Sequence, residues 1–408
     1  MTNYRTIQLE QSSAKFLFIV FGIWSFIILC RPQDYFHLLE SIRPALFFGI
    51  VTLVVYFLNV KEDSSLLGSS QFRLYILMIV FLFVGIPFSL YKSLSLKNVL
   101  NYAAVSTMLF ILFYQLANTE EKLRRLIFTY CFGVSIYALF SLLSGHIIEQ
   151  RLSFGLMFDP NDIAFYVINF LPFNFLFISK GNGFKRLIVV INIFVGVILI
   201  LKTGSRGGLL ACLSVIAYLF FVRTNTLNIT FVKKTIIILI ALVALLSFAM
   251  NTERYKAIVD VKNDYNVTDE MGRISIWKIG LRMMMENPWT GVGVGCFSEG
   301  VGRDREQRGL QSTKWQAPQN SLIQVGAETG VIGLFLFALM SYRVFRITGH
   351  VKARSKSENM VRISEMTRAG FIGHCMGAMF LSQAYSFYWI FYIVLSAQLY
   401  KIIEKELN

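Results

Sequence analysis

The sequence predicts an all-α integral membrane protein with about twelve transmembrane helices and one large outer loop containing an amphipathic helix. Three observations lead there. The 408 residues are 55% hydrophobic and only 15% charged, where soluble domains carry about 25% charge. Apolar runs of membrane-spanning length recur along the chain. Basic residues are distributed unevenly between alternate loops.

A spanning helix needs about 20 mostly apolar residues. Runs of that kind lie near 15–31, 43–60, 73–91, 98–117, 125–145, 163–179, 186–202, 207–222, 233–250, 321–345, 367–385 and 387–401. The last two are separated only by a weak turn at Gln383, Ala384 and Tyr385. No small-residue cleavage site precedes a short apolar core at the N-terminus, so 16–30 is expected to be a retained membrane helix. The chain then divides into helices one to nine (1–250), a large loop (251–319), and helices ten to twelve with a tail (320–408).

With the N-terminus inside, the inner loops hold 22 Lys and Arg and the short outer loops seven, while the long outer loop 251–319 holds ten. Long loops do not set orientation, and Lys and Arg accumulate on the cytoplasmic side. The bias therefore places both termini inside. It also gives the net charge of +15 a topological cause, with no nucleic-acid partner implied.

Under this orientation the unusual polar stretches fall outside. "TGSRGG" (203–208) links two apolar runs tightly. Either Arg206 snorkels to the interface, or it points inward, where a charge is costly and functional. "RLSFGLMFDPND" (151–162) carries Arg151, Asp159, Asn161 and Asp162. Asp-Pro-Asn-Asp is good N-cap chemistry for the following helix, and the alternative is a catalytic Asp pair.

"EMGRISIWKIGLRMMMENPWTGVGVGCF" (270–297) has Ile274, Trp277, Leu281 and Met284 on an apolar stripe, with Arg273, Lys278, Arg282 and Glu286 around it. This predicts an amphipathic helix lying at the membrane surface, ended by Pro288. "GVGVG" lacks the spacing of a phosphate-binding fingerprint; its glycines predict close packing or a bend. Arg273 opens the helix, where backbone N–H groups and the dipole favour an anion. In "APQNSLIQVGAETGVIGLF" (317–335), Asn320, Gln324 and Glu328 are spaced to share one helix face.

The five cysteines, Cys30, Cys131, Cys212, Cys296 and Cys375, form no CxxC or Cys/His pattern, so neither a zinc site nor a disulfide framework is expected. The four histidines show no metal-ligand spacing. Only His37 and His146 face outward, so no metal site is predicted.

In order and spacing, these stretches resemble one family. An outer loop with Arg and Pro-Asn, the "TGSRGG" link, "GRISIWKIGL…NPWTGVGVGCF" and "QNSLIQVGAETGVIGL" together look like the bacterial O-antigen ligase and O-antigen polymerase superfamily. The likeness is strongest over roughly 146–346. It implies a multi-pass glycosyltransferase of the bacterial inner membrane, with the large loop periplasmic. Such an enzyme moves a whole glycan from an undecaprenyl-diphosphate-linked oligosaccharide donor to an acceptor, without metal or other cofactor. The acceptor is a lipid-linked repeat, the lipid A core or a protein hydroxyl. Membrane lipid and other polysaccharide-assembly proteins are the surroundings it implies.

Position by position, Arg206 matches the arginine of the small-residue link and Arg273 the arginine opening the surface helix. Asn320 and Glu328 match the Asn and Glu of the helix that ends the loop. Gln319 departs from the pattern: many members have His-Asn there, and that His is proposed to activate the acceptor. A neutral amide does not take a proton. His146, Asp159, Asp162 and Glu328 are then the candidate bases, and polymerase is preferred over ligase. The catalytic candidates are thus Arg206, Arg273, Gln319, Asn320 and Glu328; the substrate-binding candidates are Arg151, Asp159, Asn161, Arg282 and Gln324.

The chemistry agrees with this reading. Cleaving a sugar–diphosphate bond leaves at least a dianion, which Arg holds by bidentate, charge-assisted hydrogen bonds. Amides both donate to and accept from sugar hydroxyls. The rival readings are a protein O-oligosaccharyltransferase and a lipid-linked-sugar transporter, although transporters often show two equivalent halves and no internal repeat is evident.

Overall fold

Helix starts are set locally by side chains that satisfy the free N–H groups of the first turn. Ser69 accepts from Phe72 N, Thr119 from Lys122 N, Asp159 from Asn161 N and Asp162 N, Asn320 from Leu322 N and Ile323 N, and Ser357 from Met360 N. The computed structural model describes residues 2–59, 65–148, 150–155, 159–178, 183–221, 271–309 and 315–407. The apolar run 233–250 and the first part of the large loop, 251–270, lie outside the described residues.

In order, the elements are α1 (Thr2–Cys30), α2 (His37–Ile42), α3 (Pro44–Asn59), α4 (Ser65–Gly68), α5 (Ser70–Gly85), α6 (Lys92–Leu116) and α7 (Glu120–Ser144). An antiparallel hairpin follows, β1 (His146–Ile148) and β2 (Arg151–Ser153), pairing His146 with Ser153 and Ile148 with Arg151. Next come α8 (Pro160–Phe170), which passes into a 3₁₀ helix at Leu171–Phe177, then α9 (Gly183–Lys202) and α10 (Arg206–Phe221). Beyond Met271 lie α11 (Arg273–Glu286), α12 (Phe297–Gln307), α13 (Ser321–Arg354), α14 (Glu358–Ala378) and α15 (Phe387–Leu407). The chain is mostly helical; the all-α expectation is corrected only by the hairpin, whose three-residue strands are too short to show an alternating pattern.

Six described stretches are helical, long and apolar enough to cross a membrane: Ala14–Asp34, Leu38–Asn59, Ser70–Phe88, Lys92–Leu116, Glu120–Ser144 and Ser321–Arg354. Four of the six remaining predicted runs differ for visible reasons. The run 163–179 is divided between α8 and the 3₁₀ helix, where Pro172 removes a backbone donor. α10 has 16 residues. α14 begins at Glu358 and carries Arg362, Glu365 and Arg368, and α15 ends with Lys401, Glu404, Lys405 and Glu406.

α15 is buried around its whole circumference from Tyr388 to Leu399, as a helix apolar on every side must be. α13, α14, α6 and α5 pack on it. Of its buried polar groups, Ser396 Oγ accepts from Gln71 Nε2 at 3.0 Å and Gln398 Nε2 donates to Ala117 O at 2.8 Å, while Gln398 Oε1 has no hydrogen-bond partner among the described residues.

α11 forms as predicted, but the face it buries is offset. Ile276, Ile279, Gly280 and Met283 are buried, whereas the predicted stripe of Ile274, Trp277, Leu281 and Met284 lies only partly covered or exposed. The buried face packs on Ile323 at the start of α13 and on α12. Leu281, Met285 and Trp289 stay exposed at four-residue spacing. The helix is therefore apolar on two sides, one packed on α12 and α13 and the other exposed.

α13 is broken at Gly330, whose φ of 66° and ψ of −166° are non-helical. The break divides a short helix, Ser321–Thr329, from the long apolar segment that follows. A side chain at Gly330 would run into the carbonyl of Pro288, so only glycine fits.

Candidate active site

The link between α14 and α15, residues 379–386, organises the predicted polar stretches. Ser382 Oγ accepts from Gln319 N at 2.9 Å. Gln383 N donates to Ser321 Oγ at 3.0 Å, and Ser321 Oγ donates to Leu381 O at 2.7 Å. Gln383 Nε2 donates to Asp162 Oδ1 at 2.8 Å, and Ala384 N to Gln324 Oε1 at 3.4 Å. One eight-residue segment thereby joins the mouth of α8 to the mouth of α13. The sequence showed it only as a weak turn; its signal was the polar "SQ" of "FLSQAYSFY" inside an apolar run.

Two of the predicted arginines connect to this link. Arg273, the first residue of α11, donates through Nε to Gln319 Oε1 at 2.6 Å. Gln319 holds a left-handed backbone, φ 45°, which is strained for a residue with a Cβ and persists where surroundings enforce it. Here the Arg273 and Ser382 bonds do so. Arg151, on β2, donates through Nε to Thr203 O at 3.0 Å and through Nη2 to Asn161 Oδ1 at 2.8 Å. The hairpin thus ties the "TGSRGG" link to the start of α8. Arg206 opens α10 three residues after Thr203, and Ser205 caps that helix by accepting from Gly208 N at 3.0 Å.

Asp159 caps α8 through Oδ1, at 2.7 Å from Asn161 N and 3.0 Å from Asp162 N. Asp162 is different: burial, then the neighbouring Asp159 charge, pushes its carboxyl up to about 6. A continuous path therefore runs from Arg151 through Asn161, Asp159, Asp162, Gln383, Ser382 and Gln319 to Arg273.

Glu328 lies at the break in α13, almost fully buried, with Oε1 at 3.4 Å from Phe297 N at the start of α12. A carboxylate there complements the helix N-terminus. The break frees backbone groups, and the loop 288–293 satisfies them. Val292 N donates to Ala327 O, Gly293 N to Glu328 O, and Val331 N to Pro288 O, at 2.8–3.0 Å. Gly291, at φ 64°, lies so close to Glu328 and Thr329 that a Cβ would overlap their backbone. "GVGVG" is thus a loop woven into a helix break, which meets the expectation of close packing.

Beside this wall is a cavity of about 340 Å³, lined among others by Asn98, Asn101, Tyr102, Gln324, Tyr385 and Phe387. Its lining combines amides with aromatic rings, which suits a sugar attached to a lipid.

The structure thus brings Arg151, Asp159, Asn161, Arg273, Gln319 and Gln324 into contact with one link or one path. Asn320 is buried, its oxygen taken up by the cap of α13. Arg282 is placed elsewhere, in a two-oxygen ion pair with Asp304 of α12 at 3.0–3.2 Å. His146 is exposed on β1 and joins none of these bonds. Among the described residues, no three His, Cys, Asp or Glu side chains group as metal ligands. Sequence reasoning missed Ser382 and Gln383.

Residues 191–338 match the family model described as O-Antigen ligase, within the stretch whose motifs carry the resemblance. No curated protein matches the chain.

Proposed function

We propose that this chain, whose residues 191–338 match the O-Antigen ligase family model, is a membrane glycosyltransferase that moves a glycan from undecaprenyl diphosphate to an acceptor hydroxyl, polymerising polysaccharide repeat units. The observation that carries this reading is the hydrogen-bonded path joining Arg151 and Arg273 through Asp162, Gln383 and Gln319. It gathers cations for a diphosphate and a carboxylate for a hydroxyl proton around one link.

In this reaction the acceptor oxygen bonds to the anomeric carbon of the donor, and the bond from that carbon to the diphosphate oxygen breaks. The electron pair leaves with the diphosphate, held by Arg206 and Arg273 and assisted by Arg151. The acceptor proton passes to Asp162. Asp162 is the best-placed of the candidate bases: Asp159 is spent on a cap and Glu328 braces α12. Asn161, Gln324 and the NH₂ group of Asn320 bind sugar hydroxyls. Two guanidiniums replace the charge a divalent metal would supply, so the transfer is independent of metal.

The bias of 22 to seven basic residues supports twelve spans, a periplasmic loop 251–319 and a site at the periplasmic face of the inner membrane. The second reading is a ligase onto the lipid A core, which the O-Antigen ligase description favours; Gln319 in place of His supports polymerase. The test is the purified chain with undecaprenyl-diphosphate oligosaccharide. A ladder of lengthened lipid-linked products, persisting in EDTA, is expected. Single transfer to added lipid A core with no ladder selects the ligase, and no transfer from the lipid-linked donor to either acceptor overturns the enzyme reading.

A further inference from the structure

A second cavity, of about 390 Å³, lies among the ends of α5, α13 and α15, and its lining includes Ser70, Arg73, Arg343, Arg346, His350 and Tyr400. It sits about 22 Å along α13 from the break at Gly330, for roughly 15 residues at 1.5 Å rise. Arg343 donates through Nη2 to Ser70 Oγ, and its buried Nε has no hydrogen-bond partner. The buried Nε2 of His350 has none either; Glu404, the carboxylate facing it, is 4.0 Å away. Among the described residues no carboxylate pairs with Arg73, Arg343 or Arg346. Three arginines sharing one recess make it cationic, a setting that favours an anion.

The helix faces above the recess indicate which anion. On α5, Arg73 is followed by Leu77, Val80 and Val84, all exposed and at helical spacing on the same side. On α13, Arg346 continues into exposed Tyr342, Ala338, Phe335 and Val331. α5 and α13 pack together, so two apolar stripes start at the cationic recess and run along the membrane-spanning helices. A free phosphate would use the recess alone, whereas a phospholipid uses both parts.

We propose that this recess binds the phosphate headgroup of an anionic membrane phospholipid, with its acyl chains along the stripes of α5 and α13. The site is separate from the transferase path and does not depend on that reading.

The test is the melting temperature of the purified full chain in detergent, titrated separately with phosphatidylglycerol, phosphatidylcholine and inorganic phosphate. Phosphatidylglycerol should raise it saturably, and the other two should not. Arg73 and Arg346 are exposed, so R73Q/R346Q leaves the core intact. At about fivefold per basic side chain near an anionic headgroup, the double variant should need roughly twentyfold more lipid for half-saturation. R124Q/R125Q, which removes two arginines elsewhere, should titrate like the parent. The proposal is overturned if R73Q/R346Q titrates like the parent, if phosphatidylcholine does as well, or if inorganic phosphate alone reproduces the shift.

Discussion

α11 carries two arginines nine positions apart, and they meet opposite surroundings. Arg282 is held by both oxygens of Asp304, a carboxylate it shares with Arg308. Arg273 donates through Nε to the amide oxygen of Gln319, an uncharged acceptor that orients the guanidinium. Arg151 is likewise oriented by a backbone carbonyl and an Asn oxygen. The difference is between a two-oxygen ion pair and bonds to uncharged acceptors. An acceptor without charge aims an arginine at a future anion, whereas a carboxylate already occupies that place.

The sharpest way to break this comparison is to truncate both arginines of α11. Arg273→Ala should lower transfer by about 10³-fold, since a well-placed electrostatic donor is worth roughly 3–4 kcal/mol, with the protein still eluting as a single species. Arg282→Ala should lower the melting temperature and leave the rate per folded molecule unchanged. Equal rate losses for the two would show that the acceptor's charge does not distinguish them.

A somewhat smaller effect, about 10²-fold at neutral pH, is expected for Asp162→Asn, the lower end of what a general base contributes. A base must be ionised. With its carboxyl pushed up to about 6 by burial and then by Asp159, the wild-type rate should fall about tenfold per pH unit below that value, and the variant should lose this limb. Linkage gives a second readout. A raised folded-state pKa means the native state binds the proton more tightly, so ionised Asp162 opposes stability at neutral pH. Asp162→Asn should therefore melt no lower than wild type at pH 7.5, and any advantage should shrink as pH falls below about 6 and vanish towards the ordinary carboxyl value of 3.8. A pH–rate limb that survives in the variant assigns the base elsewhere.

Gly330→Ala tests the wall of the site. A left-handed, overlapping Cβ should cost roughly 1–3 kcal/mol of stability, read from denaturant midpoints; an unchanged midpoint would mean the break is incidental. The smallest effect belongs to Gln319. Loss of its hydrogen bond in Gln319→Ala should cost about 1 kcal/mol, near fivefold in rate. In Gln319→His a neutral imidazole nitrogen still accepts from Arg273, so activity should be kept or raised above pH 7. It should decline as the ring protonates, near its usual value of about 6.5, because an imidazolium repels the guanidinium. A Gln319→Ala variant as inactive as Arg273→Ala would give the amide a role beyond orientation.

Much of this was legible in the sequence because membrane burial imposes long apolar runs, and α1, α3, α5, α6, α7 and α13 follow them within a few residues at most of their ends. Arg273 and Arg206 were legible because an arginine at a helix start or among glycines stands out. The link 379–386 was not. Its contribution comes as much from backbone N–H groups and a Ser hydroxyl as from side chains with a chemical signature, and it sits inside an apolar stretch. The break in α13 was hidden because one Gly in an apolar run reads as tolerated, and only the partner loop 288–293 shows that it is required. The buried face of α11 was misread by position because its residues are apolar on two sides, and periodicity alone does not say which side meets protein.

The link between α14 and α15 has a consequence for how the protein matures. A chain made from its N-terminus produces Arg151, Arg206, Arg273 and Gln319 long before Ser382 and Gln383. Until the link is synthesised, Gln319 lacks the Ser382 bond that helps hold its left-handed conformation, and the Gln383 bond that joins Asp162 to the link is missing. Under the proposed function, an immature chain would carry its arginines early yet stay catalytically silent until α14 and α15 take their places. The order of residues along the chain would then act as a timer that keeps a half-built transferase from reacting with its lipid-linked donor.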